Sequence, residues 1–326
     1  MPHAETPSPS WAGVDPRFLG DVVGGLRRAR KAIPSRWLYD ARGSEIFRRI
    51  MALRVYYPTR VEQEILGQHA AEITAPLSGN ACTVVDLGAG DGAKTRLVLA
   101  SLRGRVSRPA YAPIDISPAA LAGVAGRMAS AFPWLKVRPI QAEYVDGLRS
   151  IGPRGAGPVL VLFLGSNIGN LEEAEAVRFL RLLRGALRPG DHVLVGFDLL
   201  KDESLLRAAY DDEEGVTAAF NLNLLARINR ELAGDFDLGS FDHVATFDPA
   251  RPGMESWLRS RRRQRVRVAD RIFGFEAGER IHTEISLKYR EQDVDRLGTT
   301  AGFEVAARYQ DGRRWFVDAL WRVGEP

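Results

Sequence analysis

The sequence predicts an α/β protein: a doubly wound, Rossmann-like parallel sheet joined to a second, smaller α+β domain. Three observations predict it. Residues 83–87 form a short apolar, β-branched stretch carrying an acid, and they open into three glycines at alternate positions, Gly88, Gly90 and Gly92. From there to about residue 200, strand-like and helix-like stretches alternate. Beyond that point the alternation stops, and helices followed by short strands take over. With 326 residues, 45% of them hydrophobic and 26% charged, the chain has the material for one large α/β domain plus an addition.

In chain order, residues 1–16, with Pro2, Pro7 and Pro9, read as a flexible tail. Residues 18–32 read as an amphipathic helix with Leu19, Val22, Val23 and Leu26 on one side. Ser44 is the expected cap of a helix running to residue 50, and Tyr56-Tyr57-Pro58-Thr59-Arg60 breaks the chain before a helix containing residues 62–66. Aromatic packing between two helices is the plain account of Trp37, Tyr39, Tyr56 and Tyr57.

The glycines follow a strand and precede a helix over residues 94–102. Such a turn needs positive φ, and a ligand there must approach bare backbone. The spacing Asp86-x-Gly88-x-Gly90-x-Gly92 departs from the dinucleotide pattern G-x-G-x-x-G. It resembles motif I of class I S-adenosylmethionine (SAM) methyltransferases, whose ligand presents a sulfonium, an amino acid and a ribose; the alternative is an ordinary left-handed turn. A second strand over 110–117 carries Asp115, which takes the ribose hydroxyls; the alternative is that Asp115 or Ser117 simply caps the helix from Pro118. Residues 135–144 give a third strand and its loop, where Glu143 accepts from an adenine amino group and Tyr144 packs on the ring, or both are surface residues.

The continuous apolar run 159–164 reads as a central strand buried on both faces. It empties into Gly165-Ser166-Asn167-Ile168-Gly169-Asn170-Leu171, at the strand edge where such sheets place ligands. Ser166 lies in no G-x-S-x-G elbow and has no evident histidine partner, so nucleophilic serine chemistry is not expected. A helix over 174–187 and a strand over 192–197, ending at Asp198, complete the alternation.

Helices are expected over 203–210 and 216–232, then short strands near 244–247, 254–258 and 266–268. Arg259, Arg261, Arg262, Arg263, Arg265 and Arg267 read as a solvated strand face rather than a nucleic-acid surface, since no stacking aromatics are interleaved. In a strand Glu284, Ser286 and Lys288 share one face. Glu284 and Ser286 then grip a polar ring with an acceptor and a hydroxyl, or the face is simply solvated. Residues 303–305 and 315–321 are the expected closing antiparallel pair.

The single cysteine, Cys82, excludes an internal disulfide and a cysteine metal cluster and reads as an inert core thiol. The five histidines are scattered, so no metal is expected. The polar N-terminus shows no secretory signal and no apolar run reaches membrane-spanning length, which fits a cytoplasmic protein. A net charge of +4 is spread along the chain and selects no partner.

Four segments converge on a more specific likeness: residues 37–44 (Trp-Leu-Tyr-Asp-Ala-Arg-Gly-Ser), 56–60 (Tyr-Tyr-Pro-Thr-Arg), 165–171, and 283–289 (Thr-Glu-Ile-Ser-Leu-Lys-Tyr). Together with residues 202–221 they resemble the histidine-specific SAM-dependent Nα-methyltransferases, which make hercynine, the trimethylated betaine of histidine, on the way to ergothioneine. The likeness runs from about residue 28 onward in the same order. It implies a SAM-binding core over 61–199 plus 287–326 and a substrate-binding domain over 17–60 plus 200–286. It places Tyr39, Gly88, Lys94, Asp115, Glu143 and Tyr144 on SAM positions, the last two standing where the family has Asp and Phe. It places Tyr56, Asn170, Tyr210, Glu284 and Ser286 on substrate positions. Asn170 and Tyr210 would hold the α-amine and carboxylate, Glu284 and Ser286 the imidazole nitrogens. Where the family commonly has Glu-Met before Trp or His, this chain has Glu255-Ser256-Trp257, so Ser256 enlarges or wets the side-chain pocket.

The implied reaction is methylation of free L-histidine three times, SAM leaving as S-adenosyl-L-homocysteine (SAH), by a monomeric enzyme without metal, nucleic acid or membrane. An α-amine has a pKa of roughly 8 and must attack unprotonated. Tyr39 and Asn170 are the candidates for aiming its lone pair, with proximity giving most of the acceleration. The alternatives are the same chemistry on tryptophan or tyrosine, an RNA or protein methyltransferase, and a SAM-binding regulatory module.

Overall fold

The computed structural model describes residues 15–151 and 157–325. The expected tail lies outside these residues except for Asp15 and Pro16, which belong to the first helix: Asp15 caps it, accepting from the Arg17 N–H at 2.9 Å, and Pro16 opens it.

The chain begins α1 (Pro16–Leu26), β1 (Lys31–Ala32), α2 (Ala41–Ala52), α3 (Pro58–Ile73), β2 (Gly79–Leu87), α4 (Ala93–Ala100), β3 (Val106–Asp115) and α5 (Pro118–Ala131). It continues through β4 (Lys136–Val137), β5 (Ile140–Gln141), α6 (Tyr144–Arg149), β6 (Val159–Phe163), α7 (Glu173–Gly185), β7 (His192–Asp198), α8 (Glu203–Tyr210) and α9 (Val216–Glu231). Then come β8 (Phe241–Asp248), β9 (Gly253–Ser260), β10 (Gln264–Val268), β11 (Arg271–Phe275), β12 (Arg280–Leu287), α10 (Glu291–Thr300), β13 (Glu304–Gln310) and β14 (Phe316–Arg322). Among the described residues no helix is long and apolar enough to cross a membrane.

Among the described residues two compact units emerge: a smaller one from 15–53, Arg207–Phe247 and Glu255–Glu284, and a larger one from the described residues of 54–206, Asp248–Met254 and 285–325. The larger carries an eight-stranded sheet in the order β13-β14-β7-β6-β2-β3-β4, with β5 also paired to β3. β7, β6, β2, β3 and β4 run parallel, while β14 lies antiparallel between β7 and β13. This is the doubly wound core with its closing antiparallel pair. All five residues of β6 are buried, as a strand flanked on both sides and covered on both faces requires. Cys82, on β2, is 3% exposed and burial pushes its thiol up to about 11. It should stay unmodified by a thiol-reactive disulfide dye in the native protein and react at once on denaturation; rapid native labelling would show that β2 opens.

The smaller unit holds most of a sheet ordered β1-β12-β9-β8, and a hairpin of β10 and β11. Three expectations are corrected here. The first helix ends at Leu26, not residue 32, because Lys31 and Ala32 pair in parallel with Ile281 and His282 of β12. Gly25 permits that return, since a Cβ on it would collide with the Ala32 carbonyl. α2 is capped by Asp40, whose carboxylate accepts the Gly43 N–H at 2.6 Å, and Ser44 lies inside the helix. Finally, β11 was not expected; in it Ile272 is exposed while Phe273 and Phe275 are buried. The arginine-rich stretch is laced to neighbouring acids: Arg259 and Arg261 to Asp242 (3.2 and 2.5 Å), Arg262 to Asp237 (3.3 Å) and Arg263 to Glu276 (3.2 Å).

Candidate active site

In the larger unit the glycine turn leaves β2 with Gly88, Gly90 and Gly92 all at positive φ (73°, 54° and 73°). A Cβ on Gly90 would meet nothing within 4 Å, so the backbone there is bare and open. At Gly88 it would stand 2.7 Å from the Tyr144 hydroxyl, which brings these two expected SAM residues together. Asp86 is turned away from the opening: fully buried, it accepts from the Thr95 hydroxyl at 2.5 Å and the Tyr111 hydroxyl at 2.9 Å. Burial pushes its carboxyl up to about 6, so its work is to tie β2 to α4 and β3.

Asp115 ends β3 beside this turn, Ile114 pairing with Leu87. One of its oxygens accepts the Ser117 N–H at 2.8 Å, and Ser117 itself caps α5 through the Ala120 N–H. Ser117 is therefore the cap, and burial raises the Asp115 carboxyl above its usual range. Glu143 stands just ahead of α6 without capping it through its side chain, and Tyr144 is the helix's first residue, half-buried with its ring edge-on to Phe163 at 5.9 Å and Phe179 at 6.3 Å. Lys94, on α4, is paired with the buried carboxylate of Glu62.

The bare turn, an acceptor at the next strand end, an aromatic ring over Gly88 and a lysine fit a ligand with a ribose, an aromatic base and a carboxylate. Those are the parts of SAM.

The loop after β6 keeps Gly165 and Ser166 at positive φ (79° and 56°) and places Asn170 at the end of a short 3-10 turn, Asn167–Asn170. The Ser166 hydroxyl accepts the Asp198 N–H at 3.0 Å, a structural task. Asp198, at the end of β7, is the centre of a buried cluster that the sequence did not reveal. It accepts from Tyr57 (2.8 and 2.9 Å) and pairs with Lys201 (2.5 Å) and Lys288 (2.8 Å). Burial pushes its carboxyl up, but the two ammonium groups more than offset this and hold it below its usual range. Lys288 also donates to the Ser286 hydroxyl at 2.9 Å. Ser286 and Lys288 are each 5% exposed, so this end of the strand face is not solvated. Tyr56, just ahead of α3, is likewise buried.

In the smaller unit Tyr39 and Glu284 come together, the tyrosine hydroxyl donating to the glutamate at 3.4 Å. The Tyr39 ring is set edge-on between Phe47 at 5.4 Å and Phe220 at 5.3 Å. The next residue, Asp40, accepts from Asn223 at 2.8 Å and pairs with Arg230 at 2.6 Å. Tyr210 closes α8, its carbonyl bonded to His243 at 3.0 Å. Ser256 is 3% exposed in β9, and its carbonyl accepts the Thr283 hydroxyl at 3.0 Å, one residue before Glu284.

A doubly wound sheet closed by an antiparallel pair, with a bare glycine turn and an acid on the neighbouring strand, defines a class I SAM-dependent methyltransferase. The family described as "Histidine-specific methyltransferase, SAM-dependent" matches residues 18–323, and the chain belongs to it. It is 43% identical over 306 residues to a Histidine N-alpha-methyltransferase of Mycobacterium tuberculosis, covering 93% of this chain and 92% of that one. It is 29% identical to Ergothioneine biosynthesis protein 1 of Neurospora crassa, across 89% of this chain and 33% of that protein. It is 26% identical to the L-tryptophan methyltransferase trpM of Psilocybe serbica, across 92% and 91%.

Proposed function

We propose that this enzyme transfers three methyl groups in succession to the α-amine of free L-histidine, giving hercynine for ergothioneine biosynthesis. The observation that carries the reading is the family match over residues 18–323, supported by the 43% identical mycobacterial relative. In this reading the larger unit holds SAM through Gly88, Lys94, Asp115, Glu143 and Tyr144, and Tyr39 adds a contact. Bound SAM supplies a sulfonium-activated, electrophilic methyl group. Tyr56, Asn170, Tyr210, Glu284 and Ser286 hold the amino acid, Asn170 and Tyr39 orienting the neutral amine. Glu284 accepts an imidazole N–H and Ser286 bonds the other ring nitrogen. The tyrosine faces of Tyr39 and Tyr56 suit the retained positive charge as methyls accumulate.

A second reading, the same chemistry on tryptophan or tyrosine, is favoured by Ser256 in place of a methionine and by the likeness to the trpM protein. Isothermal titration of L-histidine, L-tryptophan and L-tyrosine in the presence of SAH separates the two, followed by mass spectrometry of a SAM reaction. Histidine binding and a product heavier by three methyls are expected. Binding of an aromatic amino acid with no response to histidine would transfer the function to the second reading.

A further inference from the structure

Behind Lys94 the larger unit buries two acids side by side. Glu62, on α3, and Asp318, in the middle of β14, are both wholly shielded from solvent. Glu62 is fully engaged: its two oxygens accept the Gly165 N–H at 2.7 and 3.0 Å, and one of them pairs with the Lys94 ammonium. Among the described residues neither carboxyl oxygen of Asp318 has a donor. Both acid heads stand over Gly196 of β7, the residue paired with Asp318, where a Cβ would collide with a Glu62 oxygen and lie 3.1 Å from an Asp318 oxygen.

Two carboxylates cannot share a dry site with only one cation at hand, because each unpaired buried charge costs several kcal/mol. One proton resolves the conflict. Burial first, and the Glu62 charge second, drive the Asp318 carboxyl far above its usual range against the pull of Lys94. Asp318 is then an acid donating to Glu62, and the three groups sum to zero charge. Asp86 on β2 adds its own field at Lys94. Of the three, Lys94 is the member that reaches solvent, its side chain 18% exposed.

We propose that Glu62 and Asp318, holding one proton between them, position Lys94 as the cation for the amino-acid end of the methyl donor. The inference rests on the reading of Lys94 as a SAM contact. Glu62 forks between a fixed backbone N–H and a flexible ammonium, so the loop after β6 locates the cation. The proton on Asp318 cancels a second negative charge that would compete with the ligand's carboxylate for Lys94.

The test compares SAH with 5′-methylthioadenosine, which has the same nucleoside and sulfur but no amino acid, by isothermal titration. Lys94→Met and Glu62→Gln should each weaken SAH about 10-fold while changing 5′-methylthioadenosine less than about twofold. Asp318→Asn, whose amide donates to Glu62 as the acid does, should lose at most about threefold, and Asp318→Leu about 10-fold. If Lys94→Met weakens both ligands alike, the assignment of Lys94 fails and the inference with it. If Lys94→Met is selective but Glu62→Gln is not, the assignment stands and the inference is overturned.

Thermal melts of Asp318→Asn provide a second readout should the leucine variant not fold. The folded carboxyl of Asp318 is raised above its ordinary 3.8, so its contribution is complete below that pH and is lost as pH rises. The asparagine variant should therefore gain on wild type as pH rises above the ordinary carboxyl value, until the folded carboxyl itself ionises. A gap independent of pH would mean that Asp318 holds no extra proton, and the proposal would fall.

Discussion

Glu284→Ala should weaken histidine binding by about 10- to 100-fold while SAH affinity changes by less than about twofold. Tyr39 donates to this carboxylate at 3.4 Å from a ring fixed between Phe47 and Phe220, so the acceptor is held in place before any substrate arrives. An imidazole N–H left facing an alanine loses a charge-assisted bond and finds no replacement, the kind of loss by which polar sites reject ill-matched ligands. On the proposed reading SAH is held chiefly by Gly88, Lys94, Asp115, Glu143 and Tyr144, and Tyr39, which donates to Glu284, is the one proposed contact that the substitution reaches. Titration of histidine into the SAH complex measures both halves of the expectation. Unchanged histidine affinity would remove Glu284 from the substrate site.

Asp198→Ala should destabilise the fold by about 3–5 kcal/mol. The Lys288 side chain is completely buried and that of Lys201 is 5% exposed, and both draw on this one carboxylate. Removing it leaves two buried ammonium groups without a counter-charge there, facing only neutral acceptors: the Tyr57 and Ser286 hydroxyls and the Leu199 carbonyl. Urea unfolding measures the loss. Adding Lys288→Met to the Asp198→Ala background should restore a substantial part of it, because an apolar replacement of a buried pair is often nearly neutral. The sign with pH is fixed as well. The folded carboxyl lies below its ordinary 3.8, so its contribution is present above that value and is lost as pH falls through the folded pKa. A cost below about 1 kcal/mol would mean that water reaches the cluster on loss of the acid.

The parts of this molecule that announced themselves in sequence are those whose cause is local. The buried run 159–164, the glycine turn and the strand closing at Asp198 were legible because burial and positive φ select residue types in place. Helix α8 was legible to the residue, Glu203–Tyr210. Where a distant partner decides, local pattern failed: Lys31 and Ala32 prolong an amphipathic rhythm, but β12 claims them. Ser44 and Asp40 are both good caps, and the choice falls to Asp40.

The buried charges were hidden for the same reason, since Glu62 meets Gly165 across 103 positions and Tyr57 meets Asp198 across 141. One signal was available. Glu62 stands on the apolar stripe of α3 with Pro58, Val61, Ile65 and Leu66, and Asp318 sits between Val317 and Ala319 in a strand that is otherwise apolar through Trp321. An acid in such company either has a buried partner or keeps its proton.

The place of β14 in its sheet bears on how the chain is made. It is the latest of that sheet's strands to leave the ribosome, yet it lies between β7 and β13 and is paired along seven residues of β7. During translation β7, apolar through Phe197, thus waits with an open, unpaired edge that invites association with other nascent chains. The same strand delivers Asp318, so the acid pair behind Lys94 can be completed only once this edge is closed. Sheet closure is thereby tied to assembly of the buried charge network in a single late event.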